Sequence, residues 1–210
     1  MFTQTVLPET LDILKKVMQV DSLKTTRLVG GTSLALQLDH RFSVDIDLFG
    51  NNLELDNEVL LSEFAQIGKF EITNFNSKNA INSGYLEDVK LDIVTYNYPW
   101  LDDEITTDGI RMATTKDIAA MKISAIGSRG AKKDFYDLYF LLEIYSIHQI
   151  LSFFSQKYNI TNTFHYIQSL VYFDDAEKTE QPKTFKPLSW EKVKARIIKE
   201  IQNIDFEKLV

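Results

Sequence analysis

The sequence predicts an α+β fold, a mixed β-sheet flanked by helices and followed by a helical second half. Three patterns predict it. Polar and apolar residues alternate with period two at residues 43–49, 70–75 and 89–96, as in strands with one buried face. Apolar residues return at helical spacing at residues 8–20, 56–67, 116–127, 134–143 and 190–204. The strand-like stretches lie mostly before Tyr98-Pro99-Trp100 and the long helical ones mostly after it, so the expected division is residues 1–99 and 100–210.

Composition narrows the class of protein. The 210 residues are 44 % hydrophobic and 25 % charged, enough apolar side chain for a core and not the balance of a disordered chain. Cysteine is absent, which excludes disulfides, zinc–thiolate sites and thiol nucleophiles and fits a reducing cytoplasm. The start, Met-Phe-Thr-Gln-Thr-Val-Leu-Pro, has no basic segment ahead of an apolar one, so no signal peptide is expected. No apolar run reaches the roughly 18 residues of a membrane span. The net charge of −7 argues against a general nucleic-acid binder, whose affinity comes largely from phosphate contacts, and leaves room for a local basic groove.

In chain order, Pro8 suits the first turn of a helix whose Leu11, Leu14 and Met18 face inward. Residues 27–29 read as a strand end, Gly30-Gly31 as a turn, and Thr32 and Ser33 as the opening of a short helix over 34–38. Residues 43–49 then form a strand. Asp56 caps the helix at 56–67; strands follow at 70–75, 80–85 and 89–96, with a turn at 76–79. Residues 101–107 read as loop and 109–113 as a short strand. In the second half Thr114 caps a helix that runs from Lys116 to about Gly127, with Asp117 three residues on. Helices follow at 134–143, 146–158, 163–173 and 190–204, the last capped by Ser189, with a polar loop between 174 and 187. On the last helix Lys192, Lys194, Arg196 and Lys199 line the outer side. His40, His148 and His165 each lack metal-ligand spacing and read as surface or core-edge residues.

The chemistry concentrates in residues 27–49. A glycine turn that opens a helix offers backbone N–H groups and a positive dipole end to a phosphate. On the strand after it, Ser43, Asp45 and Asp47 share one face and Val44, Ile46 and Leu48 the other. Carboxylates two residues apart on a strand have Cβ atoms roughly 6.5–7 Å apart. Such a pair calls for a cation, and Mg²⁺ takes carboxylate and phosphate oxygens together.

The run Gly-Gly-Thr-x-Leu-Ala-Leu at 30–36, with Arg-x-Ser-x-Asp-Ile-Asp-Leu-Phe at 41–49, resembles the first motif of the polymerase-β-like nucleotidyltransferases, and more narrowly of the AbiEii/AbiGii toxin family. The resemblance implies a polymerase-β-like core, with Gly30, Gly31, Thr32, Ser33, Arg41 and Ser43 beside a nucleotide. It implies Asp45 and Asp47 as metal-holding catalytic residues and a third metal carboxylate on a neighbouring strand. In Val-Lys-Leu-Asp-Ile-Val-Thr, Asp92 has the position and local pattern for that third group, and Asp88 is its rival.

A second stretch extends the resemblance. Asp-x-x-Ala-x-Lys-x-x-Ala at 117–125, then Arg129, then Lys-Asp-x-x-Asp-Leu at 133–138, is similar to that family's second signature and follows the first in the same order. Lys122 and Arg129, seven residues apart, carry charge suited to a triphosphate. Asp137 is expected to orient Lys122 or Arg129 or to contact a base or ribose, and Asp134 to pair with Lys133. The active site is expected in the cleft between the two halves, with Lys122 and Asp137 as further catalytic residues. The implied reaction is transfer of NMP from an NTP to an acceptor, assisted by Mg²⁺ or, in its place, Mn²⁺. The implied setting is a bacterial toxin–antitoxin or phage-defence system with a separately encoded antitoxin. A tRNA 3′ end is the first acceptor expected and a protein hydroxyl the second. A small aminoglycoside-like acceptor and a non-catalytic nucleotide-binding protein are the competing readings.

Overall fold

The computed structural model describes residues 1–75 and 81–205; the turn expected at 76–79 lies outside them. The chain forms two compact units and passes between them several times. The first comprises Met1–Gln37, Ser43–Tyr98 and Glu104–Ala113; the second comprises Leu38–Phe42, Pro99–Asp103 and the chain from Thr114 onward. The linear reading, by contrast, divides the chain once, after Pro99.

The first unit is built on one mixed sheet. Its strands are β1 (Arg27–Leu28), β2 (Ile46–Gly50), β3 (Phe70–Phe75), β4 (Ile81–Leu86), β5 (Val89–Thr95), β6 (Ile105–Thr107) and β7 (Ile110–Met112). Their order is β3-β4-β5-β2-β1-β7-β6, with β2–β5 and β1–β7 parallel and the remaining pairs antiparallel. Alternation gives β2 and β5 one buried face, Ile46 and Leu48 beside Val89, Leu91 and Ile93. Helix α1 (Pro8–Val17) begins at Pro8 and buries Ile13, Leu14 and Val17, with Met18 just after, in the same core. Leu11, expected inside, is only partly buried; the inward stripe sits one position round, on Ile13 and Val17. Helix α3 (Asn57–Ala65) is capped by Asp56, whose carboxylate accepts from the N–H groups of Glu58 and Val59.

Three expectations change here. The sheet continues beyond Pro99, because residues 105–112 form a hairpin whose two-residue loop, Asp108-Gly109, takes positive φ at both positions. Helix α2 (Gly30–Leu38) starts at Gly30 and not at Leu34, so both glycines belong to its first turn. Strand β2 starts at Ile46 and not at Ser43. Ser43 forms a separate parallel bridge with Val6, its N–H donating to Thr5 O at 3.0 Å, and this pulls the segment out of the sheet and leaves Val44 exposed.

The second unit is helical: α4 (Thr115–Ser128), α5 (Lys132–Leu141), α6 (Ile147–Tyr158), α7 (Phe164–Ser169), α8 (Asp174–Glu177) and α9 (Trp190–Gln202). Thr114 caps α4 and Ser146 closes a capping box on α6 with Gln149. Ile118, Ile123, Leu138, Leu141, Phe154 and Val193 are among its buried side chains, and Trp190 packs edge-on against Phe135 and Phe173. Helix α7 is shorter than the helix expected at 163–173, and α8 lies in a stretch expected to be loop. Residues 38–42 are stitched into this unit: Phe42 N–H donates to Lys183 O at 2.9 Å, and Arg41 bridges Thr184 in antiparallel fashion.

Candidate functional site

Two charged clusters stand out, one in each unit. In the first unit, the parallel pairing of β2 with β5 sets Asp47 directly opposite Asp92. Paired residues of neighbouring strands face the same side of a sheet, about 4.8 Å apart. The side they share is opposite the buried face of Ile46, Leu48, Leu91 and Ile93. One step back along each chain lie Asp45 and Lys90.

Gly30 fits closely against this row. Its φ of +67° is a left-handed conformation that favours glycine, and a Cβ built there would fall inside the Asp47 carboxylate. The Val29 N–H donates to Asp47 O at 2.9 Å, tying the turn to β2. Thr32 and Ser33, in the first turns of α2, are fully buried. The Thr32 hydroxyl donates to Asp45 O and lies 2.9 Å from Ser43 Oγ, while Ser33 Oγ accepts from Gln37 at 3.1 Å. These side chains therefore brace the segment that carries Asp45. Gly31 sits beside them in the same helical turn.

Lys90 belongs to the row, although its sequence pattern marks it only as a neighbour of Asp92 on one strand face. Its Nζ lies 2.8 Å from Asp92 Oδ2, and Ser83 donates to Asp92 Oδ1. The hydrogen bond to Asp92 raises the Lys90 pKa above its ordinary value; burial opposes this, and the charges of Asp92, Asp45 and Asp47 add to it. Three carboxylates thus act on one ammonium. Oxygen donors on one sheet face that already attract a cation are a donor set that suits Mg²⁺. Among the described residues, no three His, Asp or Glu side chains are drawn together tightly enough to hold a metal ion as the chain stands. Asp92 is turned instead toward Lys90 and Ser83.

In the second unit, Asp134 and Asp137 are fully buried, one turn apart on α5. Lys122 Nζ sits between them, 2.8 Å from Asp134 Oδ1 and 2.5 Å from Asp137 Oδ2. Arg41 grips Asp137 with two bonds, Nε to Oδ1 at 2.5 Å and Nη2 to Oδ2 at 2.9 Å, and His40 Nε2 is 2.8 Å from Oδ1. Arg129, the residue that caps α4, donates twice to Asp134, at 2.9 and 3.0 Å.

Burial alone would raise the Asp137 carboxyl, but the Arg41 and Lys122 charges and the bonds from Arg41 and His40 hold it well below the ordinary range. Asp134 is likewise lowered against its burial by Lys122 and Arg129. Lys122 is raised against its own burial by Asp137 and Asp134.

Asp134 pairs with Lys122, from the middle of α4, and with Arg129, which caps that helix. One expectation is corrected by this cluster. His40 is buried against Asp137 with its ring edge-on to Phe140, and is not a surface or core-edge residue. Sequence reasoning missed that His40 and Arg41 act as a pair. Their partner is almost a hundred residues away, and no local spacing announces it.

A second buried ion pair also escaped it. Lys157 Nζ lies 2.6 Å from Asp117 Oδ1, donates to Pro99 O at 2.8 Å and packs 4.6 Å above the Trp100 ring.

The cavity adjoining Asp45 and Lys90, about 880 Å³, lies within the first unit and is lined by Leu7, Val44 and Tyr85 and by the carboxylates of Glu9, Asp12, Glu87 and Asp88. Among the described residues no helix is long and apolar enough to cross a membrane.

Comparison with known proteins places these features in a family. Two structures from Helicobacter pylori share the fold. One is JHP933, with TM-score 0.52 and 18 % identity over 94 % of this chain and 92 % of that one. The other is described as a candidate nucleotidyltransferase, with TM-score 0.52 and 16 % identity over 93 % and 94 %. An uncharacterised protein of Aquifex aeolicus (strain VF5), aq_aa25, is 35 % identical over 191 residues, 88 % of this chain and 90 % of that protein. The family described as "Nucleotidyl transferase AbiEii toxin, Type IV TA system" matches residues 12–210. With both signatures inside that match, the chain belongs to the AbiEii nucleotidyltransferase toxin family of type IV toxin–antitoxin systems.

Proposed function

We propose that this protein transfers a nucleoside monophosphate from an NTP to a hydroxyl at the end of an RNA, a tRNA 3′ end first among them. The observation that carries the reading is the pairing of Asp47 with Asp92 on one sheet face, beside the Gly30 turn. The acceptor oxygen bonds to the α-phosphorus, the bond from that phosphorus to the bridging oxygen breaks, and pyrophosphate leaves. Asp45, Asp47 and Asp92 would hold the divalent cation, Mg²⁺ or Mn²⁺. When bound, it neutralises phosphate charge and favours the ionised acceptor hydroxyl. Asp92 takes the proton of the attacking hydroxyl. The first turn of α2, with Gly30 and Gly31, turns its N–H groups and positive dipole end toward phosphate, and Thr32, Ser33 and Ser43 keep that turn in place.

In the second unit, Lys122 and Asp137 hold the charged network, with Arg41 as the second grip on Asp137. Arg129, whose side chain is 56 % exposed, is the member proposed to meet nucleotide phosphate. RNA as acceptor is supported by an open groove of about 690 Å³ in this unit, lined by Lys183 and Lys192 with no carboxylate among its lining residues. A separately encoded antitoxin is the partner that the type IV family description supports.

A second reading is favoured by one observation. The cavity beside Asp45 is rich in carboxylates, which suits a small cationic, hydroxyl-bearing acceptor of the aminoglycoside kind. One experiment decides between the two. The protein is incubated with each α-labelled NTP, Mg²⁺ and either total RNA or an aminoglycoside, and the products are separated on gels and by thin-layer chromatography. Label on RNA that is lost in Asp47→Asn supports the first reading, and label on the small molecule alone replaces it with the second. Tight NTP binding with no labelled product overturns both.

A further inference from the structure

Asp47 and Asp92 on one sheet face, with Asp45 just ahead of β2, crowd negative charge together, and the chain has to fold before any substrate arrives. The residue completing the row is a lysine. Lys90 stands two residues before Asp92 on the same strand and the same face, and its Nζ is 2.8 Å from Asp92 Oδ2. Ser83, opposite Asp92 on β4, holds the other oxygen. Asp47 pairs with Asp92 across β2 and β5, and Asp45 lies one step before the pairing of Ile46 with Leu91. The Asp92 carboxylate is thus clamped from two sides, and one of the clamps is a positive charge on a flexible stem.

We propose that Lys90 is a positioning residue, an internal counter-ion that holds the Asp92 carboxylate in place while no divalent cation is bound and yields it when one arrives. The inference rests on the proposed role of the three carboxylates. The electrostatics agree with the geometry, since Asp45 and Asp47 both act on the Lys90 ammonium. The ion pair is partly exposed, with side chains 41 % and 23 % accessible, so it is weak enough to be displaced. The Lys90 chain also lines the cavity beside Asp45, which gives the ammonium somewhere to go.

The test uses the whole protein without nucleotide and reads Mn²⁺ binding by electron paramagnetic resonance, with thermal unfolding in EDTA as a second measurement. Lys90→Met removes the competitor, so the Mn²⁺ dissociation constant should fall about two- to fivefold, the range set by a partly exposed ion pair. It also leaves the carboxylates unbalanced, so the midpoint in EDTA should drop by about 2 °C and recover with Mn²⁺. Lys90→Arg should restore both values. Lys24→Met, which removes the same charge from an exposed ion pair with Asp21, should change neither the affinity nor its dependence on Asp47.

Unchanged or weaker Mn²⁺ binding in Lys90→Met, with Asp47→Asn still abolishing it, overturns the inference and leaves the nucleotidyl-transfer reading standing. A raised NTP KM with unchanged Mn²⁺ affinity also overturns it, by assigning Lys90 to substrate. Wild-type Mn²⁺ binding that survives Asp47→Asn removes the metal reading and this inference together.

Discussion

Asp47 and Asp92 are separated by 44 intervening residues and meet as register partners on parallel strands. Neither reaches that position through a loop; the sheet itself holds both backbones. Asp92→Asn keeps the shape and the bond from Ser83 but removes the proton acceptor. Label transfer from an α-labelled NTP should fall by about 10²–10⁴-fold, with an unchanged circular-dichroism spectrum. Transfer at the wild-type rate would remove Asp92 from the chemistry.

Gly30 is held by two constraints at once. Alanine there meets a positive φ and the Asp47 carboxylate together. The left-handed conformation alone costs about 1–2 kcal/mol for a residue with a Cβ. For a chain of this size, Gly30→Ala should lower the unfolding midpoint by about 2–8 °C, and displacing Asp47 should weaken Mn²⁺ binding as well. A variant as stable as wild type would show that the turn relaxes without loss.

The buried network of the second unit makes a prediction about acid. Asp134 and Asp137 have folded pKa values below their unfolded ones. Their contribution is therefore complete above the unfolded carboxylate value, near 3.9, and fades as pH falls through the lower folded values. Lys122, raised in the folded state, contributes fully below its ordinary value and loses that contribution only in strong base. Asp137→Asn removes the buried carboxylate that Arg41 grips and leaves Lys122 with that of Asp134, and should cost about 3–5 kcal/mol at pH 7. In urea unfolding, the gap between the variant and wild type should shrink below about pH 4. A gap independent of pH between 7 and 3 would show that the charge of Asp137 is not what stabilises the unit.

RNA binding, if it uses the groove lined by Lys183 and Lys192, should depend on salt. Each phosphate contact on a single strand contributes about 0.7 to the slope of log K against log salt. The double variant Lys183→Ala, Lys192→Ala should reduce that slope by about 1.4, measured by filter binding over a salt series. An unchanged slope would place the RNA elsewhere.

How much was legible in the sequence varied with distance along the chain. The caps at Asp56, Thr114 and Ser189 are local hydrogen bonds, so their residue types gave away the helix starts. The place of Asp92 on one strand face was legible because strand periodicity sets that face, and the family resemblance gave a reason to look there; its pairing with Asp47 is seen only in the fold. Half of the hairpin at 105–112 was read: its second strand falls within the strand expected at 109–113, but its first was taken as loop, and the strong two-residue turn signal Asp108-Gly109 was overlooked because its flanks are only three residues long. The start of β2 was misplaced because Ser43 satisfies its backbone on Thr5, which no period-two count registers. The partners of Asp137 lie on a segment that is remote in sequence, so only folding reveals that Lys122 is enclosed.

The motif Arg41-x-Ser43-x-Asp45 straddles a boundary: Arg41 folds with the helices and Ser43 with the sheet. Deleting everything before Pro99 would strip Asp137 of two of its three basic neighbours, His40 and Arg41, while deleting everything after it would take away the β6–β7 hairpin. Neither half is a transplantable cassette. Recombination that joins the front of one such gene to the back of another would be expected to yield insoluble chimeras unless the crossover respects residues 38–42 and 99–103 together.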